Sequence, residues 1–432
     1  MKYTPIQNSF YKQNRIRFCE KMQSNTIAIL TSNDVKHTNA DDVMGFAQNN
    51  DLFYLSGIDQ FETILVLYPE AVKEENKEIL FIKQRSELEK IWDGDVLTKE
   101  QAIELSGIER VEWVDDFERL IQYVAFEAEG LCLGHNEHLK RVTNNQQTRQ
   151  DRMIQWCKNK YPLHNYYRAA KITRALRTVK SNEEVEQIRT AGSIATAAFK
   201  RMLGKANSEM MEYELEAELT YILTKNGATR HAFKPIVASG KNACALHYNT
   251  NDAPCKDGDM VLIDFGACYG NYNSDTTRCI PANGKFSARQ KEVYNAVLRC
   301  LQEGSQLLEP GIIPADYEVK MAKLVEAEII QLGLLTQEDV DNQDPKNPLY
   351  KKYFMHGTAH HLGLDVHDVG LYSKPFEVGN VVTCEPGIYI PEENIGCRLE
   401  DDFLITDEGP VNLTADMPIT IEEIESLMSQ NN

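Results

Sequence analysis

Asp264 stands where an aspartate is costly, inside the apolar run Met260-Val261-Leu262-Ile263-Asp264-Phe265. Downstream, Asn273-Ser274-Asp275-Thr276-Thr277-Arg278-Cys279-Ile280 reads as a second strand that ends at Pro281. If Tyr269-Gly270 form a two-residue turn, 268 pairs with 271 and, counting outward, 264 pairs with 275. Residues so opposed carry their Cβ atoms about 4.5–5.5 Å apart on one face. Two carboxylates there repel unless a proton or a cation lies between them. A solvated surface pair is the ordinary arrangement for two aspartates, but the apolar neighbours of Asp264 argue against it, and a bound metal accounts better for the pair. Asp257 and Asp259 precede the strand and read as loop residues.

Four of the ten histidines fall within His356-Gly357-Thr358-Ala359-His360-His361-Leu362-Gly363-Leu364-Asp365-Val366-His367-Asp368. The spacing of His356 and His360 imitates a zinc-binding helix, yet that motif needs Glu after the first His, and Gly357 stands there. With Gly363 also present, a regular helix is not expected. Imidazoles crowded among glycines supply metal ligands and proton carriers near neutral pH. Glu385 ends the apolar run Val381-Val382-Thr383-Cys384, which Pro386 terminates. Arg398 to Thr406 reads as an alternating strand with Arg398, Glu400 and Asp402 on one face and Leu399, Phe403 and Ile405 on the other. Singly, Glu385 would be a strand-end salt bridge and Glu400 to Asp402 a solvated stripe. Together, two Asp, two Glu and at least one His without a thiolate suit Mn, Co, Fe or Zn in a carboxylate-bridged pair. Two metals about 3.5–4 Å apart are the arrangement with which aminopeptidases, phosphatases and nucleases bind a hydroxide and stabilise charge in a displacement.

The elements that must position these groups divide the chain. Its 432 residues exceed what one hydrophobic core supports, so two domains are expected, 1–172 and 173–432. In the first, Thr26 to Leu30, Thr63 to Tyr68 and Glu78 to Lys83 read as strands, and Lys99 to Ser106, Phe117 to Glu129 and Gln150 to Lys160 as helices, an α/β pattern. After a polar, basic connection from Arg168 to Lys180, Ser181-Asn182-Glu183-Glu184 is a capping box. Val185, Ile188, Ala191, Ala195, Ala198, Met202 and Leu203 then trace one apolar helix face. Further helices are expected near Met210 to Lys225, Ala288 to Leu307 and Asp316 to Leu332. The net charge of −19, from 46 Lys and Arg against 65 Asp and Glu, excludes a phosphate-neutralising nucleic-acid surface. No apolar run approaches the ~18 residues of a membrane span, and no apolar stretch follows Lys2 as in a secretory signal. The ten cysteines show no Cys-x-x-Cys pair and are expected reduced, in a cytoplasmic protein.

Asp264, Asp275, His360, Glu385 in Thr-Cys-Glu-Pro-Gly-Ile-Tyr-Ile and Glu400 in Arg-Leu-Glu-Asp-Asp, in that order, resemble the pita-bread metallopeptidases, most closely their aminopeptidase P branch. The resemblance covers the whole chain; the five-residue set is its specific part, and Asn50 to Gly57 and Trp92-Asp93-Gly94 add weaker matches. Ala359 departs from the Ser or Gly usual before the histidine ligand. The resemblance implies an α/β (α+β) architecture, a creatinase/prolidase-like α/β domain followed by a pita-bread catalytic domain. It implies two divalent ions, manganese foremost with cobalt, iron or zinc as alternatives. Asp275 and Glu400 would bridge them, Asp264 would hold one, and His360 with Glu385 the other. A metal-bridging hydroxide would attack the bond between an N-terminal residue and a following proline, with Glu385 as general base and acid. His247 and His367 would position substrate and stabilise the tetrahedral intermediate, while His356, Tyr389 and Arg398 would surround the pocket for the second residue. His361 is expected to pack beside the ligand. Trp92 is expected in the core, with a reach into a neighbouring subunit's site as the family-based alternative. The partners implied are peptides with proline second and further copies of the chain, as a dimer or tetramer. Prolidase, confined to Xaa-Pro dipeptides, is the alternative activity, and an inactive peptide-binding member the alternative of another class.

Overall fold

The computed structural model describes residues 2–138 and 147–429. The chain forms two compact units, Pro5–Arg177 and Thr178–Asn432, the latter including Met1–Thr4.

The first unit is built on six strands: β1 (Thr26–Thr31), β2 (Ile64–Leu67), β3 (Glu78–Ile82), β4 (Val111–Trp113), β5 (Gly130–Leu133) and β6 (Asn165–Arg168). They lie in the order β4-β3-β2-β1-β5-β6. The β1–β2 and β2–β3 pairs are antiparallel, and the other three are parallel. Residues pointing to both faces of β1, β2 and β3 are buried, which is why these segments read as continuous aliphatic runs. Six helices flank the strands: α1 (Asn8–Cys19), α2 (Asn50–Ser56), α3 (Glu87–Asp93), α4 (Lys99–Ser106), α5 (Phe117–Ala125) and α6 (Arg149–Lys160). α5 and α6 bring Phe117, Ile121, Val124 and Cys157 against Ile27, Ile29, Val66 and Phe81. Capping boxes at Ser86/Glu89, Thr98/Gln101 and Thr148/Asp151 start three of the helices.

A fully buried charge lies within this unit. Arg15 of α1 is fully buried, and it donates to both oxygens of Glu78 and to the carbonyls of Leu55 and Ser106, each at 3.0 Å. Those carbonyls belong to the last turns of α2 and α4, where unpaired acceptors and the helix dipole favour a cation. Trp92 departs from its expected place in the core: on the short α3 it is 79% exposed. The expected polar connection is instead mostly the helix α7 (Ala169–Thr178), because Ala169, Thr173, Leu176 and Arg177 bury one side of it.

In the second unit, α8 (Asn182–Leu203) starts at the Ser181/Glu184 capping box and buries the apolar face read from its sequence. With α9 (Glu212–Lys225), α10 (Ala288–Ser305) and α11 (Pro314–Gln331) it shares a core with the strands, through Phe199, Leu219, Val297 and Met321 among others. The short α12 (Gln337–Asp341) and the C-terminal α13 (Ile421–Ser429) complete the helices. The strands are β7 (Arg230–His231), β8 (Ile236–Ser239), β9 (Met260–Phe265), β10 (Ala267–Tyr269), β11 (Tyr272–Asn273), β12 (Thr276–Pro281), β13 (Val381–Cys384), β14 (Gly387–Ile390), β15 (Ile395–Arg398), β16 (Asp401–Thr406) and β17 (Gly409–Asn412). They form small sheets ordered β12-β9-β8, β11-β10-β7, β13-β16-β17 and β14-β15. No described helix is long and apolar enough to cross a membrane. All ten cysteines are free thiols.

Candidate metal centre

The hairpin carrying the two aspartates turns one residue later than its expected register. Gly270 and Asn271 occupy the turn at φ of 56° and 66°, so that Tyr269 pairs with Tyr272 and Cys268 with Asn273. A tight hairpin turn of this hand needs positive φ at both central residues, which Gly and Asn tolerate and Tyr resists. Asp264 therefore pairs with Thr277, not Asp275. The shift is two positions along the partner strand, and an even shift keeps Asp275 on the face it was expected to share. At Gly266, between β9 and β10, a Cβ would lie 1.9 Å from Ser274 O, so only glycine lets the strands approach there.

The other ligand candidates arrive from separate elements. β13 ends at Cys384, and Glu385 follows. Arg398 to Thr406 is not one strand as expected: β15 ends at Arg398 and β16 begins at Asp401. Glu400, in the break, makes a single bridge to Thr277, and its carboxylate accepts from Thr277 Oγ1 at 2.6 Å. Glu400, Asp401 and Asp402 are all buried, which removes the solvated-stripe alternative. No helix forms over 353–370.

Ligand atoms of Asp275, His360 and Glu400 all lie within 4.8 Å of one another. His360 Nε2 stands 3.5 Å from Asp275 Oδ2 and 3.7 Å from Glu385 Oε1. His360 Nδ1 faces the carbonyl of His361 at 3.0 Å, and since a carbonyl only accepts, Nδ1 carries a proton. Burial lowers the His360 pKa, but Asp275 and Glu385 outweigh it and raise the value to about 9. With a divalent cation among these carboxylates the neutral ring would turn its Nε2 lone pair to the ion, as a metal-ligating imidazole does. Asp264 accepts from Arg398 Nη2 at 2.7 Å through Oδ2, while its buried Oδ1 has no hydrogen-bond partner among the described residues. Burial pushes the Asp264 carboxyl up to about 6 and the Glu385 carboxyl up to about 7, and the charge of Asp275 adds to both rises. Burial, then Asp275, Glu385 and Asp264, raise Glu400 well above its ordinary range. An orphaned carboxylate oxygen, an imidazole lone pair and crowded acidic groups fit divalent cations.

Arg398 is buried and joins the cluster to the neighbouring residues, donating to Tyr389 Oη at 2.9 Å. Tyr389 in turn meets His356 Nε2 at 2.8 Å, and His356 Nδ1 meets Gly357 O at 2.7 Å. With Nδ1 protonated by that partnership, Nε2 accepts the tyrosine proton. His356 is held neutral, its pKa lowered to about 4 by burial and by the charges of Arg398 and His247. His247 is exposed, beyond a 3₁₀ turn at Gly240–Cys244. His367, also exposed, stacks its ring on His360 with centroids 4.1 Å apart and planes 10° from parallel. His361 is buried edge-on to the rings of Tyr372 and Phe376.

Three supporting residues escaped the sequence reading. Thr277 links Glu400 to Arg398, whose Nε donates to its hydroxyl at 3.2 Å. Asp402 accepts the Asp275 N–H at 3.1 Å. Glu318 of α11 accepts the N–H groups of Thr358 at 3.0 Å and Ala359 at 3.2 Å, fixing the turn that delivers His360. Only Asp402 carried a signal, as a third acid in the Glu400 run.

The description of metallopeptidase family M24 matches residues 186–407, and that of the aminopeptidase P N-terminal domain residues 11–132. The Xaa-Pro aminopeptidase of Escherichia coli strain K12 is 34% identical over 448 aligned positions, covering 98% of each chain. Among solved structures, aminopeptidase PepP of Pseudomonas aeruginosa superposes with a TM-score of 0.90 at 31% identity over 99% of each chain. Zinc-substituted aminopeptidase P of E. coli in complex with product superposes at 0.88 and 30%, over 99% of this chain and all of that one.

Proposed function

The chain belongs to metallopeptidase family M24 and is a metallo-aminopeptidase of pita-bread fold, and from that premise we propose that it releases the N-terminal residue from peptides whose second residue is proline. The observation that carries the reading is the convergence of Asp275, His360 and Glu400 within 4.8 Å, beside Glu385. In this reading Asp264, Asp275, His360, Glu385 and Glu400 would hold two divalent cations, manganese foremost, with Asp275 and Glu400 serving both, Asp264 one, and His360 with Glu385 the other. Bound there, they supply Lewis acidity and a water acidic enough to attack at neutral pH.

The chain's own groups do the rest. Glu385 is the one member of the five that is not fully buried, and it takes the proton of the attacking water and returns it to the leaving nitrogen. His367 and His247, both exposed, orient the substrate and donate to the oxygen that gains charge as the carbonyl becomes tetrahedral. His356 and Tyr389 wall the position of the second residue, with Arg398 holding the tyrosine. A proline ring suits an aromatic and imidazole wall, because it is apolar and its nitrogen offers no N–H to a polar grip. The Xaa-Pro aminopeptidase likeness over nearly the full chain supports the longer-peptide reading over the dipeptide one. Assembly as a dimer or tetramer belongs to the same proposal, and light scattering measures it.

The test is a peptide panel with Mn²⁺: Arg-Pro-Pro, Gly-Pro and an Xaa-Ala control. Release of arginine from the tripeptide is the expected result. Cleavage confined to Gly-Pro makes the protein a prolidase, and no cleavage with any divalent ion leaves a peptide-binding member.

A further inference from the structure

A second ionic group lies beneath the segment that carries His367. Lys180 Nζ stands 3.0 Å from Asp368 Oδ2, and both side chains are 1% exposed. So dry a pair brings little net stability, because the cost of desolvating each ion offsets their attraction and well-packed apolar side chains of similar volume often serve as well. Its worth must be sought in what it holds in place.

Asp368 follows His367 directly, and its N–H donates to His361 O at 2.7 Å. Asn273 grips the same segment from the side: its N–H donates to Gly363 O at 2.9 Å, and its Nδ2 to Gly363 O at 3.0 Å and Leu364 O at 2.9 Å. Gly363 is needed for the ion pair to form, since a Cβ there would lie 2.3 Å from Asp368 Oδ2 and 3.0 Å from Lys180 Cε. Lys180 is itself anchored. Its N–H donates to Gly379 O at 2.8 Å, and it immediately precedes the Ser181 cap of α8. Glu184, the other half of that cap, accepts from Tyr272 Oη at 3.1 Å. The strap 363–368 is thus tied to a helix start below and a hairpin beside it, while the His367 ring lies on His360.

We infer that the Lys180–Asp368 pair is a positioning device for His367, holding its imidazole over His360 so that it meets the substrate carbonyl, and that it acts on turnover rather than on metal or substrate affinity. The inference rests on the reading of His367 given above. Neither residue touches substrate; both act through the strap. Misplacing a catalytic group by about 1 Å costs on the order of 100-fold in rate.

The test uses the full chain loaded with Mn²⁺. Lys180→Met/Asp368→Leu removes both charges together, and Asp368→Asn, which keeps the shape and an acceptor for Lys180, serves as the near-isosteric second variant should the pair variant fold poorly. Either is expected to lose about 10- to 100-fold in kcat, with KM and bound metal within about twofold of the parent. In a His367→Ala background the same changes should cost less than about twofold more, the mark of two sites acting through one group. Hydrogen exchange in the metal-free protein should quicken over 362–370. An unchanged kcat in a folded variant, a loss that multiplies fully on top of His367→Ala, or unaltered exchange would overturn the inference. Full turnover by His367→Ala alone would remove the reading beneath it, and the inference with it.

Discussion

Arg15 in the first unit and Asp264 in the second are both charges taken out of water, and their surroundings differ in one respect. Every nitrogen of the Arg15 guanidinium has a partner, with Glu78 on one side and two helix-end carbonyls on the other. Asp264 is half satisfied: Arg398 takes one oxygen, and the other has no partner among the described residues, amid three further carboxylates. A closed polar network holds elements together, whereas one that leaves electron pairs pointing inward is arranged to receive something. The contrast separates a structural charge from a chemical one without reference to any relative.

One substitution on each side tests the contrast between the two networks. Asp275→Asn, in the open cluster, should abolish activity, a loss of at least about 1,000-fold, together with most bound metal while the fold persists; full activity would end the bridging assignment. Arg15→Met, in the closed network, should do the reverse. It orphans two carbonyls and should cost about 3 kcal/mol in denaturant titration of the first unit, with kcat per folded molecule unchanged. A third test concerns Glu184, buried in α8, whose carboxyl is pushed up by burial to about 7 from an ordinary 4.5. Between those values the folded chain keeps a proton that the unfolded chain has lost. The stabilisation is therefore complete below about pH 4.5 and is lost as pH rises through about 7. Glu184→Gln keeps the cap and has no proton to lose. Its thermal midpoint should rise relative to the parent across that window, by the equivalent of up to ~3 kcal/mol, and a constant difference would show the carboxyl titrating normally. The smallest effect is expected at exposed Trp92, where Ala should change stability by less than about 0.5 kcal/mol, against the several expected of a core tryptophan.

How much of this was legible in the sequence follows from what each feature depends on. Asp264 and Glu385 could be found because a carboxylate at the end of an aliphatic run breaks a local pattern. The α8 face and its cap are local too, and so are the aliphatic strands of the first unit. The hairpin register was misread because the left-handed preference of Gly270-Asn271 outweighs the count that starts from Tyr269-Gly270. The facing of the aspartates survived, since the error was even. The break at Leu399-Glu400 was hidden by alternation that continues straight through it. Glu318, Thr277 and the Lys180–Asp368 pair gave no signal at all. Each acts on a residue far away in the chain, and a lone Glu on a helix or Lys before a cap has an ordinary surface reading.

The ten free cysteines bear on how the His367 strap could be labelled. Burial pushes the thiols of Cys19, Cys132, Cys157 and Cys255 up to about 12 and that of Cys244 to about 11, and Cys300, Cys384 and Cys397 higher still. Thiolates are what maleimides and spin-label reagents attack, and at neutral pH these side chains offer almost none. A single cysteine in place of half-buried Val366, beside His367, would therefore take a fluorophore or nitroxide in preference to these eight thiols.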